Sequence, residues 1–530
     1  MTAAELAAAA GGTILCGDSS VPVTGIELNS NRVTEGELFV PLIGAKVDAH
    51  KFIKDAILRG AACVLTSEHH SADDVRKDAA LSGAMLQAEN GIEMERAGHA
   101  CCLIAVEDTK KALQAIGTWY RIHRVQIPLV GVTGSVGKTT TREMIACALS
   151  SQKRVFATKG NANSQVGVPI TVTEITSASE IGVIELGMSE PGEMERIALV
   201  ARPDICVITN IGVSHINQLK TQENIMKEKL HILDGAEKEA ILIANGDDPL
   251  LRNLTEEQIH AYGIAVGKPV RIFFYGSDEN ADVRAVDIRE ENGYPSCKVV
   301  FQNKGTEADR NGLADGRGLA SLSSAKPALR EHETIEKNGL LLRLQVRGRH
   351  MLKNALAALC VCMLTGVETG RAAEKLSAFR DLSGRGETFV SDGITVIDDS
   401  YNAAPDSMKA GLSVLAGIPA KHRIAVLGDM LELGEREKDY HREVGEYIAA
   451  HIGRSIDLLL LYGSLASYIA GGLDAQSPHP IEVRQFFDLA DLESFVKERV
   501  RPGDAVLFKA SNSMGLSALV GRLYKKTAQQ

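Results

Sequence analysis

The chain has 530 residues, which is too long for a single hydrophobic core and suggests about three domains. Hydrophobic residues make up 45% of it and charged residues 24%, a composition typical of a globular protein. Because 58 basic residues stand against 68 acidic ones, giving a net charge of −10, we expect no general affinity for nucleic acid or for an anionic membrane surface. An anionic substrate therefore needs a locally basic site.

The cysteine spacing and the first ten residues indicate the cellular compartment in which the protein is expected to work. Only Cys101 with Cys102 and Cys360 with Cys362 lie close together in sequence, and none has the CxxC spacing of a zinc site or a redox pair. Residues 1–10 have no basic region ahead of an apolar stretch, and no run of the chain approaches 18 uninterrupted apolar residues. We expect a cytoplasmic, monomeric protein that is neither secreted nor inserted in a membrane.

Residues 1–126 alternate short apolar strands with helical stretches, which predicts a small α/β domain. Residues 37–42 and 61–65 predict two strands, and a helix is predicted between them over residues 52–58. Residues 69–100 are polar, rich in Ala, Glu and Gly, and only weakly periodic. This composition predicts a surface insertion.

The most informative segment is residues 130–140, with the sequence VGVTGSVGKTT. It follows the β-branched apolar run 127–132 and precedes a helical pattern over residues 139–149. A glycine loop between a strand and a helix is the setting of a phosphate-binding loop. Val132 stands where the general Walker pattern has its first glycine, so the match is to the shorter form G-x-x-G-K-T.

Each residue type in this loop has a chemical use. Gly134 and Gly137 let backbone N–H groups face phosphate oxygens, and the start of the helix at Thr139 and Thr140 adds the positive end of its dipole. Lys138 supplies a point charge, and the Thr139 hydroxyl can complete a Mg²⁺ shell. The competing interpretation is a glycine-rich turn beside a solvated lysine.

Residues 127–383 and 384–530 predict two further α/β domains. Strands are predicted at residues 181–185, 205–210, 240–244 and 272–275, and helices at residues 194–199, 222–233 and 351–364. This alternation predicts a largely parallel sheet with helices on both faces, and the charged residues 302–338 predict a loop. The last domain is predicted to be Rossmann-like, with strands at residues 395–397, 424–427, 458–461 and 505–508.

Three polar clusters follow predicted strands or interrupt a helix. Glu185 and His215 come at the ends of two successive strands, so both are expected beside Lys138 as metal ligands, although an edge carboxylate and a structural histidine are the plain alternatives. Lys229 lies in an otherwise apolar helix, where a solvated face is the plain alternative. Asp399 ends a strand and can orient a ribose, a metal-bound water or an amine, or simply cap the strand.

In this order and spacing the clusters resemble the Mur ligase family, the ATP-dependent peptide ligases that build the bacterial cell-wall stem peptide, and the resemblance covers essentially the whole chain. Its marks are residues 399–405 (DSYNAAP), 427–434 (LGDMLELG), 185–187 with 192–193, and 160–161 with 163–169. The most discriminating is 427–434, which points to the member that adds D-Ala-D-Ala to UDP-N-acetylmuramoyl-tripeptide. The Asp-Asn-Pro-Arg motif of the neighbouring diaminopimelate-adding ligase is absent.

The resemblance implies roles for residues at matching positions. Lys138 and Thr139 are expected to hold the ATP phosphates and Mg²⁺, with Glu185 and His215 as metal ligands. Lys229 matches a lysine that carries a carbamate, whose anion holds a second Mg²⁺. Further nucleotide contacts are implied for His350, Asn354, Arg385, Asp399, Tyr401 and Asn402. Contacts with the UDP-linked substrate are implied for Asn31, Arg32, Asp48, His50, Asn163 and Lys509.

The sequence departs from the family pattern at four positions. Asn31 replaces a serine, and Ser164 replaces an asparagine. Asn512 stands where an arginine is usual, and His231 where relatives often carry an acid. These differences bear on substrate details more than on the reaction.

The sequence therefore predicts a three-domain ligase that uses ATP to convert a peptide carboxylate into an acyl phosphate, which an amine then attacks. Phosphoryl transfer needs positioning and charge neutralisation rather than a protein nucleophile, which suits a site of lysine, hydroxyl, carboxylate and Mg²⁺. Two alternatives stay open at this point. One is a related ligase of the folylpolyglutamate or cyanophycin type, and the other is a P-loop ATPase that switches partners without ligating anything.

Overall fold

The computed structural model describes residues 1–78, 80–81, 83–85, 101–302, 339–475 and 481–525. Three separate sheets follow one another along the chain, of five, nine and six strands. This confirms the α/β class and the predicted succession of an N-terminal, a central and a C-terminal unit. The exact boundaries at residues 126 and 383 stay predictions. No helix in the described parts of the chain is both long and apolar enough to cross a membrane.

The N-terminal sheet has the strand order β1-β5-β4-β3-β2, in which β1 and β5 are antiparallel and the other neighbours are parallel. Its strands are β1 (Thr13–Cys16), β2 (Ile26–Glu27), β3 (Leu38–Phe39), β4 (Cys63–Thr66) and β5 (Cys102–Ala105). The helices are α1 (Ala3–Ala10), α2 (Ile53–Leu58), α3 (Ala72–Lys77) and α4 (Thr109–His123). The start of α4 is capped by Asp108, whose carboxylate accepts from the amides of Lys110 and Lys111.

The predicted surface insertion over residues 69–100 is partly wrong. Its described part contains α3 and contributes Val75, Leu81, Ala84 and Met85 to the buried core. The spacing of Leu81, Ala84 and Met85, at i, i+3 and i+4, is that of one apolar helix face and was the signal that the prediction missed. The rest of this stretch, and residues 303–338 of the predicted loop, lie outside the described residues.

The central sheet has the strand order β14-β13-β12-β11-β10-β9-β6-β8-β7. It runs parallel from β7 to β12 and ends in the antiparallel strands β13 and β14. The strands are β6 (Leu129–Thr133), β7 (Val155–Ala157), β8 (Ile181–Glu185), β9 (Ile205–Ile208), β10 (Ala240–Asn245), β11 (Val270–Gly276), β12 (Val283–Glu291), β13 (Tyr294–Phe301) and β14 (Leu340–Arg343). Because β6 lies between β8 and β9, the loops that follow these three strands share one edge of the sheet.

Helices cover both faces of this sheet, as predicted. They are α5 (Lys138–Leu149), α6 (Gly167–Thr173), α7 (Glu193–Ala201), α8 (Ile216–Leu219), α9 (Gln222–Leu230), α10 (Glu256–Ala261), α11 (His350–Leu364) and α12 (Thr369–Ser377). One core packs α5 and α11 against one face, and the other packs α7 and α9 against the opposite face. The helix predicted over residues 222–233 ends as α9 at Leu230 and continues as a 3₁₀ turn, His231–Gly235.

The C-terminal sheet has the strand order β15-β16-β20-β17-β18-β19, in which only β15 is antiparallel to its neighbour. Its strands are β15 (Glu387–Ser391), β16 (Ile394–Asp398), β17 (Arg423–Gly428), β18 (Leu458–Tyr462), β19 (Glu482–Phe486) and β20 (Ala505–Lys509). Its helices are α13 (Pro405–Gly417), α14 (Glu437–Tyr447), α15 (Ser467–Asp474), α16 (Leu489–Arg499) and α17 (Leu516–Leu523). The predicted Rossmann-like arrangement is confirmed.

Candidate active site

The loop between β6 and α5 has the geometry of a phosphate-binding loop. Gly134 and Gly137 both have positive φ, 149° and 82°, a backbone region that favours glycine. The Lys138 ammonium donates to the Gly134 carbonyl at 2.8 Å and to the Ser135 carbonyl at 3.4 Å. Burial lowers the pKa of Lys138, and the nearby Arg385 adds to this while Glu185 opposes it. The loop carries a desolvated cation at its centre.

The neighbouring strand β9 holds this loop in place. The Asn210 side chain accepts from the Val136 amide at 2.8 Å, and the Thr209 hydroxyl donates to the Val136 carbonyl at 2.6 Å. A Cβ at Gly134 would lie 1.9 Å from the Thr209 hydroxyl oxygen, so only glycine fits there. Asn210 and Thr209 therefore set the shape of the loop before any phosphate binds.

Glu185, at the end of β8, is the most densely contacted carboxylate of the site and only 1% exposed. It accepts from the Thr139 hydroxyl at 2.8 Å, from the Arg142 guanidinium at 3.2 Å and from the Asn163 amide at 2.7 Å. Its own amide donates to Thr158. The predicted neighbours Thr139 and Glu185 thus meet, and Asn163 lies with them at the phosphate loop. Thr140, the residue after Thr139 in α5, is also buried.

Lys229, on α9, is buried with 1% of its surface exposed. Burial lowers its pKa well below the ordinary lysine value, and repulsion from Lys138 lowers it further, against a smaller opposing effect of Glu228. Among the described residues its ammonium has no hydrogen bond and no ion pair. A buried, unpaired lysine is rare because the charged form loses its hydration without compensation.

Lys227, two positions earlier on α9, has an ordinary surface environment. Its ammonium pairs with Glu223 at 2.8 Å and lies 4.7 Å from the centre of the Tyr262 ring. This is the solvated lysine of the plain interpretation, whereas Lys229 points into the site.

His215 reaches the same cluster from the segment that follows β9. Burial lowers its pKa, with repulsion from Lys229 and Lys138 acting in the same direction. His215 is therefore near enough to both lysines to be affected by their charges, and its role as a metal ligand stays a prediction. Its Nδ1 lies 3.2 Å from the carboxylate of Glu432, which belongs to the C-terminal unit.

The C-terminal unit contributes a second polar cluster, at the ends of β16 and β20. Lys509 is 1% exposed and forms an ion pair with Asp399 at 2.5 Å, and it also donates to the Asn402 carbonyl at 3.0 Å. Burial raises the pKa of Asp399, and Lys509 opposes that shift. Arg385 stacks on Tyr401 with 3.9 Å between the guanidinium carbon and the ring centre. The structure thus places Lys509 with the expected nucleotide residues, away from Asn31 and Arg32.

His350 and Asn354 begin α11, on the central side of the cleft between the central and C-terminal units. Asn354 accepts from the Thr141 hydroxyl at 3.1 Å, so it touches the phosphate-loop helix α5. His350 lines a cleft of about 280 Å³ together with Arg349 from the central unit and Lys409 from α13. Asn354 therefore lies beside the phosphate-loop helix, and His350 lies at the boundary between the central and C-terminal units.

The four substrate residues predicted in the N-terminal unit fall into two kinds. Asn31 and Arg32 lie in the 3₁₀ turn Ser30–Arg32 and are exposed. His50 is only 3% exposed, and both of its ring nitrogens are used internally: Nδ1 lies 2.7 Å from Asp48 and Nε2 lies 2.9 Å from the Ser67 hydroxyl. The structure leaves Asn31 and Arg32 free to bind a ligand, while Asp48 and His50 hold neighbouring loops together.

The donor set at the phosphate loop fits Mg²⁺ in part. The Thr139 hydroxyl and the Glu185 carboxylate are oxygen ligands of the kind that Mg²⁺ takes, and they already lie within hydrogen-bond distance. The buried Nδ1 of His215 has no aligned hydrogen bond among the described residues, so its proton position is not fixed by a well-made bond. The Lys229 ammonium cannot hold a cation, but a carbamate at the same position would supply two oxygens.

Three residues of the site were missed from the sequence. Arg142 binds Glu185, Asn210 holds the phosphate loop, and Glu432 reaches His215. A signal existed for Arg142, which follows Lys138 by four residues and so shares its helix face. Glu432 lies within the discriminating segment 427–434, but its contact with the central unit depends on how the two units meet.

Three models of known protein domains together match most of the chain. The Mur ligase middle domain matches residues 132–362, the glutamate ligase domain of Mur ligases matches residues 384–512, and the Mur ligase catalytic domain matches residues 22–118. These three matches follow the three sheets.

Individual relatives agree with these matches. The chain is 31% identical to the UDP-N-acetylmuramoyl-tripeptide–D-alanyl-D-alanine ligase of Bacillus subtilis (strain 168), over 94% of this chain and 92% of the relative. Its fold is similar to a crystal structure of MurF from Acinetobacter baumannii (TM-score 0.77, 23% identity, 98% of each chain). It is also similar to MurF ligase from Thermotoga maritima in complex with ADP (TM-score 0.71, 25% identity, 94% and 97% covered). The chain is an enzyme of the Mur ligase family.

Proposed function

We propose that this enzyme joins D-Ala-D-Ala to UDP-N-acetylmuramoyl-tripeptide with hydrolysis of ATP to ADP and phosphate, a step of peptidoglycan precursor synthesis. The observation that carries the proposal is the contact of Thr139, which follows Lys138 in the phosphate loop, with Glu185 at one edge of the central sheet, with the buried Lys229 near enough to Lys138 to be affected by its charge. This arrangement suits transfer of a phosphoryl group to a carboxylate, and the relatives that span the chain are ligases of this kind.

The chain's own residues account for each requirement of the reaction. Lys138 neutralises charge on the γ-phosphate as it passes to the terminal carboxylate of the tripeptide, and the amides of the loop that Asn210 and Thr209 hold in place cradle the phosphates. The resulting acyl phosphate is attacked by the free amine of the dipeptide, giving a tetrahedral intermediate that expels phosphate. No protein nucleophile is needed.

Mg²⁺ supplies charge neutralisation for the transferring phosphoryl group when it is bound. Thr139, Glu185 and His215 would hold this ion, and a carbamate on Lys229 would hold a second one. The free Lys229 supports the second assignment, because its lowered pKa provides the neutral amine that reacts with CO₂. Carbamylation of this neutral amine forms a bond between Nζ and the carbon of CO₂, releases one proton, and leaves an anionic ligand in place of a basic group.

The C-terminal cluster is proposed to close on the nucleotide. Arg385 already influences Lys138 electrostatically, so the two units approach each other at the phosphate end. Asp399, fixed by Lys509, is positioned to accept hydrogen bonds from a ribose, and Tyr401 with Asn402 lies beside it. Closure of this kind excludes water, which would otherwise hydrolyse the acyl phosphate.

The N-terminal unit is proposed to hold the UDP end of the substrate through Asn31 and Arg32. Arg32 is exposed and can form two parallel hydrogen bonds with a phosphate. We further propose that the enzyme acts as a monomer in the cytoplasm.

The test is to incubate the purified enzyme with ATP, Mg²⁺, D-Ala-D-Ala and UDP-muramoyl tripeptides that carry either lysine or diaminopimelate as third residue. Mass spectrometry should detect a UDP-muramoyl pentapeptide and an equal amount of ADP. ATP turnover without either peptide substrate would instead indicate a P-loop ATPase switch. In a parallel mixture of ATP, Mg²⁺, a folate and glutamate, addition of glutamate to the folate would indicate a folylpolyglutamate-type ligase. Comparison of the two tripeptides then identifies the accepted third residue.

A further inference from the structure

Two residues with a rare backbone conformation face each other across the boundary between the central and C-terminal units. His215 has φ 62° and Glu432 has φ 63°, and neither is a glycine. The Glu432 carboxylate lies 3.2 Å from Nδ1 of His215. Strained residues persist where the surrounding structure fixes them, and they concentrate at functional sites and switches.

The segment that bears Glu432 is held firmly by its own unit. The Met430 amide donates to Nε2 of His441 at 3.0 Å, and the Leu431 amide donates to the Ser511 hydroxyl at 2.9 Å. His441 is fully buried. These bonds fix the backbone immediately before Glu432, so this carboxylate is presented from a rigid support.

The segment that bears His215 is equally tied to the phosphate loop. The Gly212 amide donates to the Ser135 hydroxyl at 2.8 Å, and Ser135 also accepts from Lys138 through its carbonyl. Val213 and Ile216, on either side of His215, pack against the core of the C-terminal unit. A rigid path thus runs from the phosphate loop through His215 to the C-terminal unit.

The backbones at this boundary also approach closely. Gly434, two residues after Glu432, has φ 67°, and a Cβ there would lie 3.2 Å from the Cα of Asn217 in α8. A side chain at Gly434 would have to displace Asn217, so the contact between the His215 and Glu432 side chains, which are 25% and 62% exposed, lies at the edge of a closely fitted boundary.

Histidines that bind metals usually donate their other ring N–H to a carboxylate, which fixes the tautomer and the direction of the ring. With Nδ1 facing Glu432, Nε2 of His215 is the nitrogen left free for a cation. The Nδ1 atom is buried without an aligned hydrogen bond, although the Glu432 carboxylate is at hydrogen-bond distance.

We propose that Glu432 is a positioning residue that orients His215 toward the cation, and that cation binding therefore depends on the position of the C-terminal unit. This inference rests on the proposed function, because it takes His215 as a ligand of the cation that accompanies ATP. Its consequence is that the cation site is complete only when the two units are in contact.

The test compares Glu432→Gln with Glu435→Gln. The first variant keeps the shape of the side chain but removes its charge. The second removes a carboxylate that is exposed on the same segment and has no ion pair or hydrogen bond among the described residues. The dissociation constant of ADP is measured by calorimetry with and without Mg²⁺, so the readout does not depend on catalysis.

In Glu432→Gln the tightening of ADP binding by Mg²⁺ should fall by roughly tenfold, the lower bound for loss of a carboxylate that orients a metal-binding histidine. ADP binding without Mg²⁺ should be unchanged, and Glu435→Gln should match the wild type in both conditions. Equal Mg²⁺ dependence in Glu432→Gln and the wild type would overturn the proposal, as would an equal loss of ADP affinity with and without Mg²⁺. Ligation by the wild type, measured in parallel, separately tests the proposed function.

Discussion

The phosphate-loop cluster and the N-terminal substrate segment present their polar residues in opposite ways. Around the phosphate loop, Glu185 is contacted by three side chains and Lys229 is buried without a partner. In the N-terminal unit, Asn31 and Arg32 stand exposed in a short turn. We expect the buried residues of the phosphate-loop cluster to stabilise the charge that is redistributed during phosphoryl transfer. We expect the exposed Asn31 and Arg32 to contribute binding energy for a substrate group whose charge does not change in the reaction.

This difference predicts how each region responds to mutation. Loss of one member of the buried cluster should impair turnover severely, because water cannot replace the missing charge in a desolvated site. Loss of an exposed binding residue should weaken the affinity for one substrate and leave the chemical step nearly intact. The following experiments sharpen or break that contrast.

The largest effect is expected for Lys138→Ala. Removing the cation from the phosphate loop should lower kcat by about 10³-fold, equivalent to roughly 4 kcal/mol of transition-state stabilisation. The fold should be retained, because Lys138 contacts loop carbonyls rather than the core. Formation of ADP is measured by a coupled assay, with Lys238→Ala as a control on the exposed surface. ADP formation at a near-normal rate would remove the basis of the contrast.

The second effect distinguishes the two lysines of α9. Lys229→Ala should lose ligation by about 10²-fold or more, as expected when a ligand to a catalytic charge is removed. Lys227→Ala should be nearly silent, because its ion pair with Glu223 is exposed. Short carboxylic acids added to Lys229→Ala should partly restore activity by replacing the carbamate. Equal losses in the two variants, with no rescue, would contradict a carbamate at Lys229.

A smaller effect is expected for Arg32→Ala. The KM for the UDP-linked substrate should rise by about 10-fold, the loss of a charge-assisted hydrogen bond of roughly 1.5 kcal/mol, while kcat changes little. Arg59→Ala, also exposed in the N-terminal unit, serves as the matched control. If kcat falls and the KM stays constant, Arg32 belongs with the residues that act on the reaction, and the proposed division between the two regions is wrong.

The last prediction concerns stability rather than turnover. The unliganded fold holds Lys229 with a lowered pKa, so the unfolded chain binds more protons between that pKa and the ordinary lysine value near 10.5. Unfolding free energy therefore rises with pH in this window, and Lys229→Met should be more stable than the wild type at pH 7. Each unit of the pKa difference contributes about 1.4 kcal/mol.

Thermal unfolding in CO₂-free buffer without Mg²⁺ measures this gain. The advantage of Lys229→Met should shrink as the pH approaches 10.5. Lys227→Met provides the control, and its stability relative to the wild type should not follow this pH dependence. A wild type that is more stable than Lys229→Met at neutral pH would show that Lys229 has a partner in the unliganded enzyme.

The sequence was most predictive where function depends on consecutive residues. The phosphate loop is read from one stretch of chain, and Glu185 and His215 follow from the rule that the ends of neighbouring parallel strands share an edge. Contacts between distant segments could not be predicted, because the sequence around Glu432 and Lys509 does not indicate which unit each side chain will contact. The burial of Lys229 could not be predicted either, because the Lys-Glu-Lys segment 227–229 does not indicate which of its two lysines faces the solvent.

The central claim is that this site activates the tripeptide carboxylate as an acyl phosphate, and isotope transfer tests it most directly. UDP-muramoyl tripeptide labelled with ¹⁸O in the terminal carboxylate is turned over with ATP, Mg²⁺ and D-Ala-D-Ala. One labelled oxygen should appear in the phosphate released for every amide bond formed, because the carboxylate oxygen attacks the γ-phosphorus. Unlabelled phosphate accompanying amide formation would show that the carboxylate is activated in another way and would contradict the account.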